Sequence, residues 1–268
     1  MHETAHAKIN LALHVRGREP EGYHRIETIF AFAEDGDELT VAPSGELSLA
    51  VTGPFAGALV GESDNLVLRA ARALAEHGGV NAGAAITLDK RLPVASGIGG
   101  GSADAAAALR LLVRFWDVAI DEAGLHAIAA RLGADVPACL HSRSLRGEGR
   151  GDALVPLDLP DLAGTPLLLV NPRVPLSTAA VFRAWDGVDR GPLGDWEVGR
   201  NDLEAPARAL VPEIGAVLEA LPEASFARMS GSGATCFGLF DDMAARDAAA
   251  ARIAARHPAW WMLPTRLI

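Results

Sequence analysis

Apolar residues recur with a period of two near the start of the chain. Ile9, Leu11, Leu13 and Val15 alternate with Asn10, Ala12 and His14, which predicts a strand over residues 9–15. Further short strands are expected over 26–32, 38–41 and 46–51, separated by Gly, Pro and Asp. A helix follows over 65–76, with Asp64 as its N-cap and Gly78 beyond its end. A strand over 84–88 leads into a glycine-rich loop, then helices over 103–116 and 122–132. Residues 143–160, rich in Gly, Arg and Pro, make the best domain boundary. Beyond them, 166–170 reads as a buried strand, and 178–185 and 205–221 as helices. Strands over 226–229 and 235–240 flank a glycine turn, and 241–257 is an amphipathic helix. Strands and helices mixed in both halves predict two α+β domains, residues 1–155 and 156–268.

Composition narrows the class. Half of the 268 residues are hydrophobic and 22% are charged, as in a soluble globular protein of one large or two modest domains. The formal charge of −10 argues against a nucleic-acid binder, which needs cations to displace counterions from phosphates. Cys139 and Cys236 form neither a disulfide framework nor a zinc site, and fit a reducing compartment. The first residues hold Glu3, Lys8 and Asn10 rather than a signal peptide's apolar run, and no stretch reaches membrane-spanning length. The expectation is a soluble cytoplasmic protein with no membrane partner. Of 24 basic residues only Lys8 and Lys90 are lysines. Either this is compositional chance, or these two positions need a compact point charge rather than a planar fork.

The strongest chemical signal is Pro93-Val94-Ala95-Ser96-Gly97-Ile98-Gly99-Gly100-Gly101-Ser102-Ala103, between a strand and a helix. Four glycines within five positions let several N–H groups face one ligand, and the helix dipole points at the same spot. That is an anion site suited to phosphates. No Gly-Lys-Ser/Thr follows, so it is not a Walker A loop, and Ser102 stands where a dinucleotide fingerprint needs its third glycine. A second cluster, Met229-Ser230-Gly231-Ser232-Gly233-Ala234-Thr235, is either a plain hairpin turn or a place of close approach. Asp135, in Gly133-Ala134-Asp135-Val136-Pro137, is either a helix N-cap or a working carboxylate. Lys8 and Asn10 share a strand face at i and i+2, and Gly22-Tyr23-His24 holds the chain's one tyrosine.

Taken in order, these segments resemble the galactokinase, homoserine kinase, mevalonate kinase and phosphomevalonate kinase superfamily. The resemblance runs from A-K-I-N-L-A-L-H-V at Ala7 and E-G-Y-H-R-I-E-T-I-F at Glu21 through D-N-L at Asp64 and D-K-R-L-P at Asp89. It continues through the glycine loop, L-G-A-D-V-P at Leu132, N-P-R-V-P-L-S-T at Asn171, N-D-L at Asn201 and S-G-S-G-A at Ser230. The chain departs in detail: Ile98 replaces a usual Leu, Ala103 a common second Ser, and Arg183 a frequent Lys. The resemblance implies a two-domain α+β small-molecule kinase fold. Its N-terminal domain binds the nucleotide, and its C-terminal domain is ferredoxin-like and completes the substrate cleft.

A-K-I-N-L, G-Y-H and G-A-D-V-P resemble the branch that phosphorylates the 2-hydroxyl of 4-diphosphocytidyl-2-C-methyl-D-erythritol, a step in non-mevalonate isoprenoid precursor synthesis. By that resemblance Asp135 is the general base and Lys8 holds it ionised and stabilises the transferring group. The loop from Pro93 to Ala103 cradles the phosphates of ATP, and Asn65 and Lys90 lie near the nucleotide base. Mg²⁺ is expected with ATP, with Ser102 as a candidate ligand and no acidic metal cage. Asn10, Tyr23, His24, Thr178 and Phe182 match substrate positions; Tyr23 and Phe182 can stack on cytosine and His24 can read its edge. The expected partner is a small molecule, the chain a monomer or homodimer. The alternatives are a sister kinase for homoserine, mevalonate or a sugar, against which G-Y-H argues, and a metabolite sensor without turnover. Intact Lys8, Asp135 and glycine loop argue against the sensor.

Overall fold

The computed structural model describes every residue except Glu21, Glu62 and Ser63, so the first residue of the E-G-Y-H motif lies outside the described residues. The chain forms two compact units, each assembled from separated segments. The first comprises Met1–Ala7, Asp35–Val94 and Gly99–Ser142; the second comprises Lys8–Glu34, Ala95–Ile98 and Arg143–Ile268. Two long strands, β1 (His2–Arg18) and β2 (His24–Ser44), pair with each other, and each contributes residues to both units.

In the first unit β4 (Gly83–Asp89) is central. It pairs parallel with β3 (Leu47–Thr52) and antiparallel with the end of β2, in register from Glu38↔Asp89 to Ser44↔Gly83. Four helices complete it: α1 (Leu66–Gly78), α2 (Gly100–Trp116), α3 (Glu122–Leu132) and α4 (Val136–His141). Helix α2 carries buried Ala103 and a run of buried alanines from Ala105 to Ala108, small enough for α1 and α4 to pack closely on it.

In the second unit the start of β2 pairs with β5 (Leu145–Gly149), which makes a hairpin with β6 (Ala153–Pro156). A separate antiparallel sheet runs in the order β10 (Trp261–Arg266), β7 (Pro166–Asn171), β9 (Cys236–Leu239), β8 (Phe226–Met229). Its helices are α5 (Thr178–Ala184), α6 (Glu204–Leu210), α7 (Glu213–Glu219) and α8 (Met243–Arg256). Leu168, Val170, Ile214, Val217, Phe240 and Ile253 share one buried core with Leu13 and Val15. Among the described residues no helix is long and apolar enough to cross a membrane.

Several expectations from the sequence need correction. Asp-Gly-Asp at 35–37 separates no strands: β2 runs straight through. A Cβ on Gly36 would sit 1.9 Å from the Ala5 carbonyl oxygen, so this glycine serves close backbone approach rather than a turn. Asn65, not Asp64, caps α1, and the helix takes in Gly78 before Gly79 ends it in the left-handed region. Residues 143–160, read as the best domain boundary, carry the β5–β6 hairpin, and the long C-terminal segment of the second unit begins at Arg143. The helix expected over 205–221 is two, because Pro212 lacks the N–H needed to continue the first. Strand β10 gave no strand signal, since Pro264 interrupts it; at a sheet edge that proline is tolerated.

Candidate functional site

The glycine loop links β4 to α2 by a chain that twists repeatedly through the left-handed region, with φ of 51° at Ala95, 80° at Gly97 and 66° at Gly99. Three successive carbonyls, within the second unit, accept hydrogen bonds from its other segments. The Ser96 carbonyl accepts from the Thr235 N–H (3.1 Å), Gly97 from the Ser230 hydroxyl (2.9 Å), and Ile98 from the Lys8 N–H (3.0 Å). A planar trans peptide points its C=O and the next N–H in opposite directions. Turning carbonyls 96, 97 and 98 toward β1 and the 230–235 turn therefore aims the N–H groups of Gly97, Ile98 and Gly99 away from them. Gly99 is the N-cap of α2, and no side chain caps that helix, whose first turn holds Gly100, Gly101 and Ser102. Such a run of outward donors at a helix start is an anion cradle.

The second glycine segment is the β8–β9 turn, and it also carries that close approach. A Cβ on Gly97 would lie 2.6 Å from the Gly233 carbonyl oxygen and 2.7 Å from that of Ser230. A Cβ on Gly231 would meet Asn10 Oδ1 at 3.1 Å. The Ser230 hydroxyl accepts from the Asn10 N–H (3.2 Å) while donating to Gly97, so one side chain joins β1 to both glycine segments.

On β1, Lys8 and Asn10 share a face as expected. Lys8 Nζ donates to Asn10 Oδ1 (3.3 Å) and stands 4.6 Å from the Phe30 ring centroid. Asn10 Nδ2 donates to Thr28 Oγ1 (2.8 Å), and that hydroxyl donates to the Ala12 carbonyl (2.7 Å). The buried chain Lys8–Asn10–Thr28 holds an ammonium in a fixed place.

In the first unit, Lys90 is buried and its ammonium donates to Asp37 Oδ2 and Asp104 Oδ2, both at 2.6 Å. Burial alone lowers an ammonium's pKa, but the two carboxylates overcome it and hold Lys90 above the ordinary lysine range. Burial raises the pKa of the Asp104 carboxyl, and the Lys90 ammonium opposes that rise. Asp37 Oδ1 also accepts the Arg91 and Leu92 N–H groups (2.6 and 2.8 Å). A Cβ on Gly100 would be 3.2 Å from Lys90 Nζ, so this cluster backs the first turn of α2. Asn65 Oδ1 accepts from the Val67 N–H (2.9 Å), capping α1. Asp135 is half-buried at the N-cap position of α4, yet its side chain makes no capping hydrogen bond.

A ring cluster gathers in the second unit. The His24 and Phe182 centroids are 4.8 Å apart, and Trp185 meets His24 edge-on at 5.8 Å. Burial, then the Arg18 charge, lowers the His24 pKa, so the ring is neutral near pH 7 with one donor and one acceptor. Tyr23 is exposed, with the Arg150 guanidinium 3.9 Å from its ring centroid. Thr178 Oγ1 hydrogen-bonds Ser232 Oγ (2.9 Å).

Sequence reasoning missed Thr28, Trp185 and the supporting part of Asn201, whose Nδ2 donates to the Met229 and Gly231 carbonyls (both 2.8 Å). Only the N-D-L motif hinted at Asn201. Among the described residues no three His, Cys, Asp or Glu side chains are grouped to hold a metal ion.

Fold and loop together define a class, the GHMP kinases. Family models described as GHMP kinases N terminal domain and GHMP kinases C terminal match residues 65–143 and 189–259. The chain is 58% identical to a 4-diphosphocytidyl-2-C-methyl-D-erythritol kinase of Rhizorhabdus wittichii, covering 99% of this chain and 94% of that protein. It is 55% identical to one of Novosphingobium aromaticivorans, covering 98% and 91%. A crystal structure of a 4-(cytidine 5'-diphospho)-2C-methyl-D-erythritol kinase superposes with a TM-score of 0.86 at 34% identity, covering 100% and 99%. The mevalonate kinase of Methanococcus jannaschii shares the fold, with a TM-score of 0.72 at 10% identity over 100% and 98% of the chains. The chain belongs to the 4-diphosphocytidyl-2-C-methyl-D-erythritol kinase family.

Proposed function

We propose that the protein transfers the γ-phosphoryl of ATP, bound with Mg²⁺, to the 2-hydroxyl of 4-diphosphocytidyl-2-C-methyl-D-erythritol in the cytoplasm. The observation that carries the phosphoryl-transfer chemistry is the inward tethering of carbonyls 96, 97 and 98, which frees consecutive amides for phosphate oxygens. The names of relatives matched over nearly the whole chain support the substrate. A neutral His24 in contact with two aromatic rings, with Tyr23 preceding it, supports recognition of a cytosine.

Residues 1–155 supply the ATP loop and the catalytic pair, and 156–268 the remaining substrate contacts. Asp135, half-buried at the start of α4, accepts the hydroxyl proton. Lys8 supplies a compact positive charge for the anionic transfer, held by Asn10 and Thr28. Mg²⁺ arrives as part of the co-substrate, with phosphate oxygens as its main ligands and the Ser102 hydroxyl beside them. Lys90 acts on the nucleotide through the loop it backs, since its ammonium is engaged by two carboxylates.

Asp135→Asn tests the assignment. It keeps size and hydrogen bonding but cannot take a proton, so kcat should fall by ~10²–10⁴ with both substrates still bound. A kcat within a few-fold of wild type in a variant that keeps the side chain's size and hydrogen bonding would overturn the assignment of Asp135 as base. The substrate is tested by ATP consumption with this alcohol against homoserine and mevalonate.

A further inference from the structure

We propose that Trp185 is a positioning residue: with Phe182 it packs against the His24 imidazole, one ring tilted and one edge-on, and sets the ring plane from which His24 hydrogen-bonds the cytosine edge. The proposal rests on the cytidine-linked substrate reading above. The second torsion of a histidine is broad, so the backbone of β2 does not by itself fix the ring. Two walls at different inclinations do. Phe182 lies 33° from the imidazole plane and Trp185 stands at 83° to it, at 4.8 and 5.8 Å.

One short stretch of chain delivers both walls. Phe182 sits in α5, and Trp185 is the residue that ends the helix, its backbone extended and its N–H bonded to the Phe182 carbonyl (3.3 Å). Both rings pack on the core of the second unit, so they are backed rather than free to swing. The Trp185 indole N–H is buried without a hydrogen-bond partner. An orphaned donor is a cost that phenylalanine would not carry, so what position 185 contributes is a large flat ring, not a polar contact. Enclosure by these rings also fits the neutral state of His24, with Arg18 as the charge that adds to it.

The test is a double-mutant cycle in the full-length enzyme, reading kcat and both KM values for Trp185→Ala, His24→Ala and the pair. Trp185→Ala should raise the KM for the cytidine-linked substrate about three- to tenfold, the size of one aromatic contact, with kcat and the KM for ATP within twofold. Trp185→Phe should restore most of the loss. The double variant should be no worse than His24→Ala alone, because Trp185 acts through His24. If His24→Ala raises that KM but Trp185→Ala does not, or the two effects simply add, the proposal is wrong and the substrate reading stands. If His24→Ala leaves the KM unchanged, the reading of the base fails first and the proposal with it. Should Trp185→Ala not fold, Trp185→Leu carries the same expectations, since it keeps apolar bulk without the flat face.

Discussion

The chain's two lysines do different work from similarly buried positions. Lys8 Nζ donates to the Asn10 amide oxygen beside the Phe30 ring, and Lys90 Nζ donates to Asp37 and Asp104. In both, the compact ammonium that the arginine-rich composition left in place is buried. His14 shows the same dependence on one atom. Its Nδ1 donates to the Gly191 carbonyl (3.1 Å) and its Nε2 accepts from the Arg200 N–H (3.3 Å), an arrangement open only to the neutral ring. Burial lowers its pKa most, and the Arg200 charge adds to that against the Gly191 bond. The folded pKa thus lies below the ordinary value of about 6.5, and as pH falls the unfolded chain takes up the proton first. Stability should be full above about pH 6.5 and decline below it, by up to about 1.4 kcal/mol per pH unit for this one proton. Urea unfolding from pH 7.5 to 5.5 would show that slope, reduced in His14→Gln; an equal slope in both would remove His14 as a cause.

At the scale of elements, two ties decide how the glycine loop is held. One is the interlock of the glycine loop with the β8–β9 turn. Gly97→Ala places a Cβ 2.6 Å from the Gly233 carbonyl oxygen at a residue with φ of 80°, so the two backbones must part. The expected result is a KM for ATP raised tenfold or more, together with a loss of about 1–3 kcal/mol in stability. Unchanged ATP affinity in a folded Gly97→Ala would mean the interlock does not shape the loop. The other tie joins β2, the end of β4 and α2 through Asp37, Lys90 and Asp104. Lys90→Met strands two buried carboxylates and should cost about 3–5 kcal/mol, seen as a lower urea midpoint at an unchanged slope. A midpoint within error of wild type would show the cluster contributes nothing. The proline break between α6 and α7 and the hairpin within 143–160 belong to this scale too. Pro212 was readable, but the glycine-rich hairpin was not. Gly147 there is a packing residue, since a Cβ would lie 2.7 Å from the Phe30 ring.

For the whole molecule, each unit is closed by segments far apart in sequence, and that divides what could be read from what could not. The amino-acid sequence by itself determined the α+β class, the strand–loop–helix around the glycine loop, and the shared face of Lys8 and Asn10. These follow from local periodicity, from side-chain chemistry and from the ordered run of motifs, which need no knowledge of what packs on what. Tertiary structure alone decided that Ser230 bonds Asn10 220 residues away and Gly97 133 residues away, so that loop carbonyls turn inward and amides outward. It likewise decided that Lys90 is consumed by two carboxylates, that Gly36 is a crossing and not a turn, and that Trp185 stands against His24. The physical reason is the same in each case. A hydrogen bond or ring contact between distant residues exists only once chain closure and core burial have been achieved, and no local pattern records which partners that closure selects.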